Sequence, residues 1–166
     1  MKGLFALAAA ALLAAPASEA LGRHSGSPLA GLPRSAVVVH TDSGSHRFHV
    51  WIAADPASRE HGLMFVRRMP ADHGMLFLFD QPQFTSFWMK DTWLALDLIF
   101  IRHDGTVSNI ARNATPGSLE PIPSSAPVIA VLELLGGTAA KIGLSPGDQV
   151  VLPVGYREAS HGLRGQ

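Results

Sequence analysis

Two short, almost uninterrupted apolar segments constrain the fold of this chain most strongly. Residues 96–101 read LDLIFI and residues 128–134 read VIAVLEL. Each segment is apolar on both faces that a strand would present, and neither is long enough to cross a membrane as a helix. Short apolar runs bounded by turn residues are typical of strands buried inside a sheet. We therefore expect both segments to be central strands.

Further β-rich runs and turn signals extend this pattern along the chain. A hairpin with a four-residue loop is predicted at residues 42–45, and strands are predicted at residues 74–79 and 84–89. Only two short helices are indicated, one at residues 56–61 after the N-cap Asp55 and one in the GGTAAKIG run. These elements predict a mainly β single domain over residues 36–154. A small closed or partly open barrel or sandwich is expected, because open sheet edges promote aggregation.

Both ends of the chain are predicted to lie outside this domain. Residues 1–20 combine a basic start, a short apolar run and small residues before Ser18 and Leu21, which is typical of a secretory signal. Residues 21–35 are rich in Gly, Ser and Pro and predict a flexible lead-in, and residues 155–166 predict a frayed tail. We therefore expect an exported protein, periplasmic or extracellular, with no stable membrane anchor after processing.

Composition excludes several classes of function. The chain contains no cysteine, so disulfides and thiol catalysis are ruled out. Thirteen basic residues cancel thirteen acidic ones, which argues against general nucleic-acid binding. The eight histidines lack the paired spacing of metal ligands, and neither a serine-hydrolase elbow nor a phosphate loop is present. We expect no metal, no cofactor and no nucleic-acid partner.

One acid lies in each central apolar segment, Asp97 in the first and Glu133 in the second. A buried carboxylate either finds a partner or raises its pKa and takes up a proton. We expect Asp97 to be buried and paired with Lys90 or Arg59, in a cluster that also contains Glu133 and Lys141. Such a cluster either ties strand ends together or lines a pocket, and both interpretations remain open.

Two tryptophans flank the Lys90-Asp91 pair. Trp93 follows the turn and does not lie within a predicted strand, so we expect it to be partly exposed, whereas Trp88 is better explained as a core residue. Aromatic faces beside charged hydrogen-bonding groups commonly hold a sugar ring or another small polar molecule. The pattern therefore makes the tryptophans candidates for ligand stacking.

The segments REHGLMFVRRMP, HGMLFLF, FWMKDTWLALDLIFI, VLEL and AKIGLSPGDQV together resemble the family catalogued as domain of unknown function 192. The resemblance runs from about Val37 to Pro153 and implies a small, mainly β single domain, often exported, without a settled activity. Arg59 matches the arginine before GLM, and residues 88–92 match a W-M-K-N-T run with Asp91 in place of asparagine. Ala95 stands where the family usually has proline.

Three hypotheses for function follow. We favour a non-catalytic binding module for a small polar or carbohydrate-like ligand. The alternatives are a hydrolase that uses Asp97 and Glu133 as an acid–base pair, which requires both acids in one cleft, and a structural or assembly factor without a small ligand. The candidate ligand-binding residues are Arg59, Trp88, Lys90, Asp91, Thr92, Trp93, Asp97, Glu133 and Lys141.

Overall fold

The structure, a computed structural model, describes residues 28–153. The predicted signal at residues 1–20 and the predicted tail at residues 155–166 lie outside this range. Within it, β1 begins at Arg34, and Leu29 is buried against the core with only 4% of its surface exposed. The described part of the predicted flexible lead-in therefore packs on the domain.

The described residues form a mainly β domain with two short helices, which confirms the predicted fold class. The elements in chain order are β1 (Arg34–Thr41), β2 (Gly44–Ala53), α1 (Pro56–His61), β3 (His73–Gln83), β4 (Ser86–Phe87), β5 (Leu96–Ile101), β6 (Val107–Ala114), β7 (Ile122–Pro123), β8 (Val128–Leu135), α2 (Thr138–Lys141) and β9 (Gln149–Val151).

Seven of these strands form one curled sheet in the order β6-β5-β8-β3-β2-β1-β9. Strands β2 and β3 run parallel and are connected through α1, whereas the other neighbours are antiparallel. The two edges meet at one end, where Thr106 bridges to Gln149 and the Val107 N–H donates to the Asp148 carbonyl at 2.8 Å. The sheet is thus a half-barrel that closes only partly, as the sequence predicts.

Apolar side chains cover both faces of the curled sheet. One cluster draws residues from all seven strands and includes Val37, Val107 and Val150, so it fills the inside of the curl. A second cluster covers the outer face and includes Phe77, Leu98 and Met89. Strands β5 and β8 lie between the two clusters, which explains why their sequences are apolar on both sides.

Three local predictions are corrected. The hairpin loop has two residues rather than four, because Thr41 pairs with Gly44. Strand β3 continues through Gln83, with a register irregularity after Leu78 that accommodates the exposed end. The predicted strand at residues 84–89 shrinks to β4, because the chain then enters a turn in which the Thr92 N–H donates to the Met89 carbonyl.

Candidate functional site

A pocket of about 240 Å³ on the outer face of the sheet brings together five of the predicted site residues. Its walls come from α1 and the residues after it, from β3, β4 and β8, and from the turn that follows β4. The five residues are Arg59, Trp88, Lys90, Thr92 and Glu133.

Helix α1 places Arg59 at one wall. Asp55 caps the helix by accepting a hydrogen bond from the Ser58 N–H at 2.9 Å, within a reciprocal capping box. Arg59 Nη1 donates to the carbonyls of Ala54 and of Leu78, the latter at 3.0 Å, and the guanidinium lies over the Phe79 ring. The guanidinium is therefore held in place, and it keeps further donors on Nη2 and Nε.

The turn at residues 89–92 places Lys90 in the lining of the same pocket. Met89 is completely buried, and its N–H donates to the Ser118 carbonyl at 2.9 Å. Asp91 adopts a left-handed conformation with φ of 52°, a position that suits asparagine and aspartate better than most residues. The Lys90-Asp91 pair is therefore a turn anchored by Met89, with Lys90 exposed.

Glu133 lies in the pocket wall on β8. Its cross-strand neighbours are Met75 on β3 and Leu98 on β5, both fully buried and apolar. Gly74 lets β3 approach here, because a Cβ at that position would collide with the main-chain carbonyl of Glu133. Only 4% of the Glu133 surface is exposed.

The carboxyl of Glu133 has no side-chain hydrogen bond or ion pair within residues 28–153, although Arg59 and Lys90 line the same pocket. Burial therefore raises the pKa of Glu133 from 4.5 to about 8. At neutral pH this carboxyl is mostly protonated, so it offers both a hydrogen-bond donor and an acceptor to whatever enters the pocket.

The pocket also contains residues that the sequence did not single out. His61 ends α1, and its Nε2 atom is buried without a hydrogen-bond partner among the described residues. Phe77 and Phe87 form an aromatic wall with ring centroids 4.9 Å apart at 88°. In the sequence, His61 directly follows Arg59 and Glu60 at the predicted end of the helix. This closeness to the candidate Arg59 is the feature that could have pointed to His61 as a site residue.

The two tryptophans differ in their relation to the pocket. Trp88 lines it and is 49% exposed, with Lys90 Nζ 5.5 Å from the ring centroid, so its interpretation as a core residue is wrong. Trp93 is 53% exposed, which confirms the predicted exposure. However, Trp93 does not line the pocket, and its ring lies 5.4 Å from the Arg67 guanidinium carbon.

Asp97 lies on the opposite face of the sheet. It is completely buried, pairs across the strands with Leu134, and belongs to the side of Ile99 and the inner apolar cluster. Its two carboxylate oxygens accept hydrogen bonds from the Asn113 N–H at 2.8 Å and the Ala139 N–H at 2.7 Å. The prediction of burial is therefore right.

The prediction that Lys90 or Arg59 pairs with Asp97 is wrong. Within residues 28–153, the one ion pair shorter than 4.0 Å joins His73 to Asp72. Main-chain N–H groups satisfy the Asp97 carboxylate instead. Because Asp97 and Glu133 point to opposite faces, they do not share a cleft, and the hypothesis of an acid–base pair between them is wrong as well.

Two other predicted site residues lie outside the pocket. Lys141 is exposed on α2 and lines a separate cleft with His46 and Arg47. Asp91 belongs to the turn but not to the pocket lining. Among residues 28–153 there is no group of three side chains able to hold a metal ion, and no helix long and apolar enough to span a membrane.

Comparison with known proteins shows the family. The chain belongs to the DUF192 family, described as an uncharacterized ACR, whose sequence profile matches residues 37–152. This confirms the resemblance drawn from the sequence motifs. A search of curated proteins found no match.

Two crystal structures are similar to this chain. One is a protein of unknown function from Novosphingobium aromaticivorans, with 41% identity and a TM-score of 0.74 over 76% of this chain and 90% of that one. The other comes from Sinorhizobium meliloti and is described as a candidate transcription regulator, with 45% identity and a TM-score of 0.70 over 72% of this chain and 94% of that one.

Proposed function

We propose that this protein is a non-catalytic binding module for a small polar ligand with a ring. The observation that carries this proposal is the Glu133 carboxyl, buried in a pocket wall without a protein partner. Buried polar groups are almost always hydrogen-bonded, and the same pocket also holds His61 Nε2, which is buried without a partner among the described residues. Both groups point to a ligand that completes their hydrogen bonds.

The pocket supplies complementary contacts for such a ligand. The exposed face of Trp88 offers a stacking surface at the mouth, and Arg59, Lys90 and Glu133 offer hydrogen bonds. The volume of about 240 Å³ lies just below the roughly 300–1,000 Å³ usual for ligand sites, so a molecule the size of a single sugar or benzene ring fits best.

Binding is tested with the two exposed tryptophans as a matched pair. Thermal shift and calorimetric titration of the protein with glucose, galactose, glucuronate, benzamide and benzoate sample neutral and charged rings. Stabilisation of the folded state by a bound probe raises the melting temperature. Trp88→Ala should weaken binding of any probe that binds, whereas Trp93→Ala should not, because Trp93 lies outside the pocket. Equal losses in both variants, or no binding by any probe, would contradict the proposal.

Export is part of the same proposal and rests on the signal-like residues 1–20. The exported product should begin at Ser18 or Leu21, and its intact mass decides this. A cytoplasmic product that retains Met1 would contradict it.

A nucleic-acid role is less well supported, although one similar structure is described as a candidate transcription regulator. The chain has equal numbers of basic and acidic residues, and the longer described helix has six residues. So short a helix cannot follow a major groove over several base pairs, and no net positive charge draws the chain to phosphates.

The hypothesis of a structural or assembly factor predicts that no small ligand binds. The titration with sugars, benzamide and benzoate therefore distinguishes it from the binding module.

A further inference from the structure

The charges around the pocket are unevenly distributed. Arg59 and Lys90 line it as cations, and the exposed Glu60 is an anion at its edge. Glu133 adds no full negative charge at neutral pH, because burial raises the pKa of its carboxyl to about 8. The pocket therefore carries a positive excess around a protonated acid.

We propose, building on the proposed function, that the ligand ring carries a carboxylate. The protonated Glu133 carboxyl donates a hydrogen bond to one carboxylate oxygen, while Lys90 and Arg59 compensate the charge. A carboxylic acid can share its proton with a neighbouring carboxylate, and the pair then avoids the repulsion between two full negative charges.

Other head groups fit the same residues less well. An ammonium group would be repelled by Arg59 and Lys90, the two cations that line the pocket with Glu133. A neutral sugar would use the Glu133 hydrogen bond but would leave both cations without an anionic partner. Charge-assisted hydrogen bonds are roughly twice as strong as neutral ones, so a carboxylate gains most from this pocket.

The titratable groups around Glu133 come from few elements. Helix α1 contributes Arg59, Glu60 and His61, and the turn after β4 contributes Lys90. The neighbours on β3 and β5 are the apolar Met75 and Leu98. Because burial raises the pKa of Glu133 to about 8, its carboxyl changes charge in the range just above neutral pH, in the pocket that Arg59 and Lys90 also line.

Calorimetric titration of the protein at pH 7 and pH 9 tests the proposal. Two carboxylates are used, benzoate and glucuronate, and each is compared with its neutral counterpart, benzamide or glucose. Comparing benzoate with glucuronate shows whether the pocket prefers an aromatic ring or a sugar ring. Both are ionised at either pH, so only the pocket changes. Because the protonated fraction of an acid with a pKa of about 8 falls about tenfold between these pH values, the carboxylate should bind about tenfold more weakly at pH 9.

Three variants test whether Glu133 causes the pH dependence of carboxylate binding and whether Lys90 recognises the charge. Glu133→Gln keeps a hydrogen-bond donor but cannot ionise, so it should bind the carboxylate with no pH dependence in this range. Glu120→Gln removes an exposed acid outside the pocket and should leave the tenfold change intact. Lys90→Met should weaken binding of the carboxylate more than that of its neutral counterpart.

The outcomes separate this inference from the proposed function. If the neutral compounds bind in a Trp88-dependent way and the carboxylates do not, the inference fails and the binding module stands. The inference also fails if the carboxylates bind with the same pH dependence in wild type and Glu133→Gln. If no probe binds at millimolar concentration, both proposals fail.

Discussion

Asp97 and Glu133 are two buried acids on neighbouring strands of one sheet, and their surroundings differ completely. Asp97 is 0% exposed and accepts hydrogen bonds from two main-chain N–H groups. Glu133 is 4% exposed and has no side-chain partner within the described residues. Burial alone therefore does not mark a functional acid; what distinguishes the two is whether the fold supplies the partners.

This difference has a physical consequence for each side chain. The two hydrogen bonds that Asp97 accepts, from Asn113 on β6 and Ala139 on α2, tie these elements to β5. Glu133 lacks such bonds, and burial raises its pKa to about 8. One acid is thus part of the scaffold, while the other is kept protonated beside a pocket.

The largest expected effect concerns the pH dependence of stability at Glu133. The folded protein binds more protons than the unfolded chain between pH 4.5 and about 8, so this group destabilises the fold progressively as pH rises through that window. The raised pKa corresponds to about 5 kcal/mol in the free energy of unfolding at full ionisation. Glu133→Gln should therefore match wild type near pH 5 and be more stable by several kcal/mol at pH 9.

Urea unfolding at pH 5, 7 and 9 measures this difference. Glu120→Gln, at an exposed acid, is the matched control and should differ from wild type by less than about 0.5 kcal/mol throughout. If the difference in free energy of unfolding between Glu133→Gln and wild type does not change with pH, the pKa of Glu133 is not raised in the folded protein. In that case a protein group stabilises its ionised form.

Asp97→Asn should lower the free energy of unfolding by about 1.5–3 kcal/mol at pH 7, because hydrogen bonds to a charged acceptor are lost. The introduced amide also directs a donor at one of the two N–H groups from Asn113 and Ala139. Chemical denaturation of the variant gives the value.

Double-mutant cycles sharpen this result. Asp97→Asn combined with Lys90→Met, or with Arg59→Met, should be additive within about 0.5 kcal/mol, because neither cation contacts Asp97. A coupling free energy of 1 kcal/mol or more would show that Asp97 pairs with that cation, as the sequence predicts. Asp97 would then not be satisfied by main-chain N–H groups alone.

A smaller effect on stability is expected at the two half-exposed tryptophans. Trp88→Ala and Trp93→Ala should each destabilise the fold by clearly less than the ~3–5 kcal/mol of a buried tryptophan. Thermal unfolding of both variants without ligand checks this. If Trp88→Ala lowers stability by as much as the loss of a buried tryptophan, the Trp88 ring packs in the core around Glu133. It would then not be an open surface on which a ligand can stack.

The smallest effect is expected at Asp91, a half-buried acid in the turn at residues 89–92. Asp91→Asn restores the residue of the family motif at a left-handed position that asparagine tolerates well. The free energy of unfolding should change by no more than about 0.5 kcal/mol at any pH between 5 and 9. A clear pH-dependent difference would show that Asp91, and not only Glu133, responds to the charges at the pocket mouth.

Local signals in the sequence were sufficient for much of the fold. The apolar run at residues 96–101 is β5, and the Asp55-Pro56 start with Gly62 as the stop is α1. These predictions succeed because strand alternation and helix capping depend on neighbouring residues. The predictions of a four-residue hairpin loop and of a strand over residues 84–89 are wrong, because the pairing at Thr41 and the hydrogen bonds of Met89 involve other segments of the chain.

The site was predicted in part for the same reason. The scarcity of cations near the buried acids predicts that Arg59, Lys90 and Glu133 lie together, and all three line one pocket. The prediction that Asp97 and Lys141 join them is wrong. Alternation shows which residues of one strand share a face, but only strand register shows which faces of two strands coincide, and here Asp97 pairs with Leu134.

The sequence by itself determined that this chain is mainly β, that α1 is capped by Asp55, and that two acids lie within apolar strands. Only the tertiary structure decided what each acid contacts. The partners of Asp97 are main-chain N–H groups 16 and 42 residues away in the chain. Every residue except proline carries such a group, so no pattern of side chains in the sequence predicts these contacts. Only the folded backbone shows that Asp97 has hydrogen-bond partners and that Glu133 has none among the described residues.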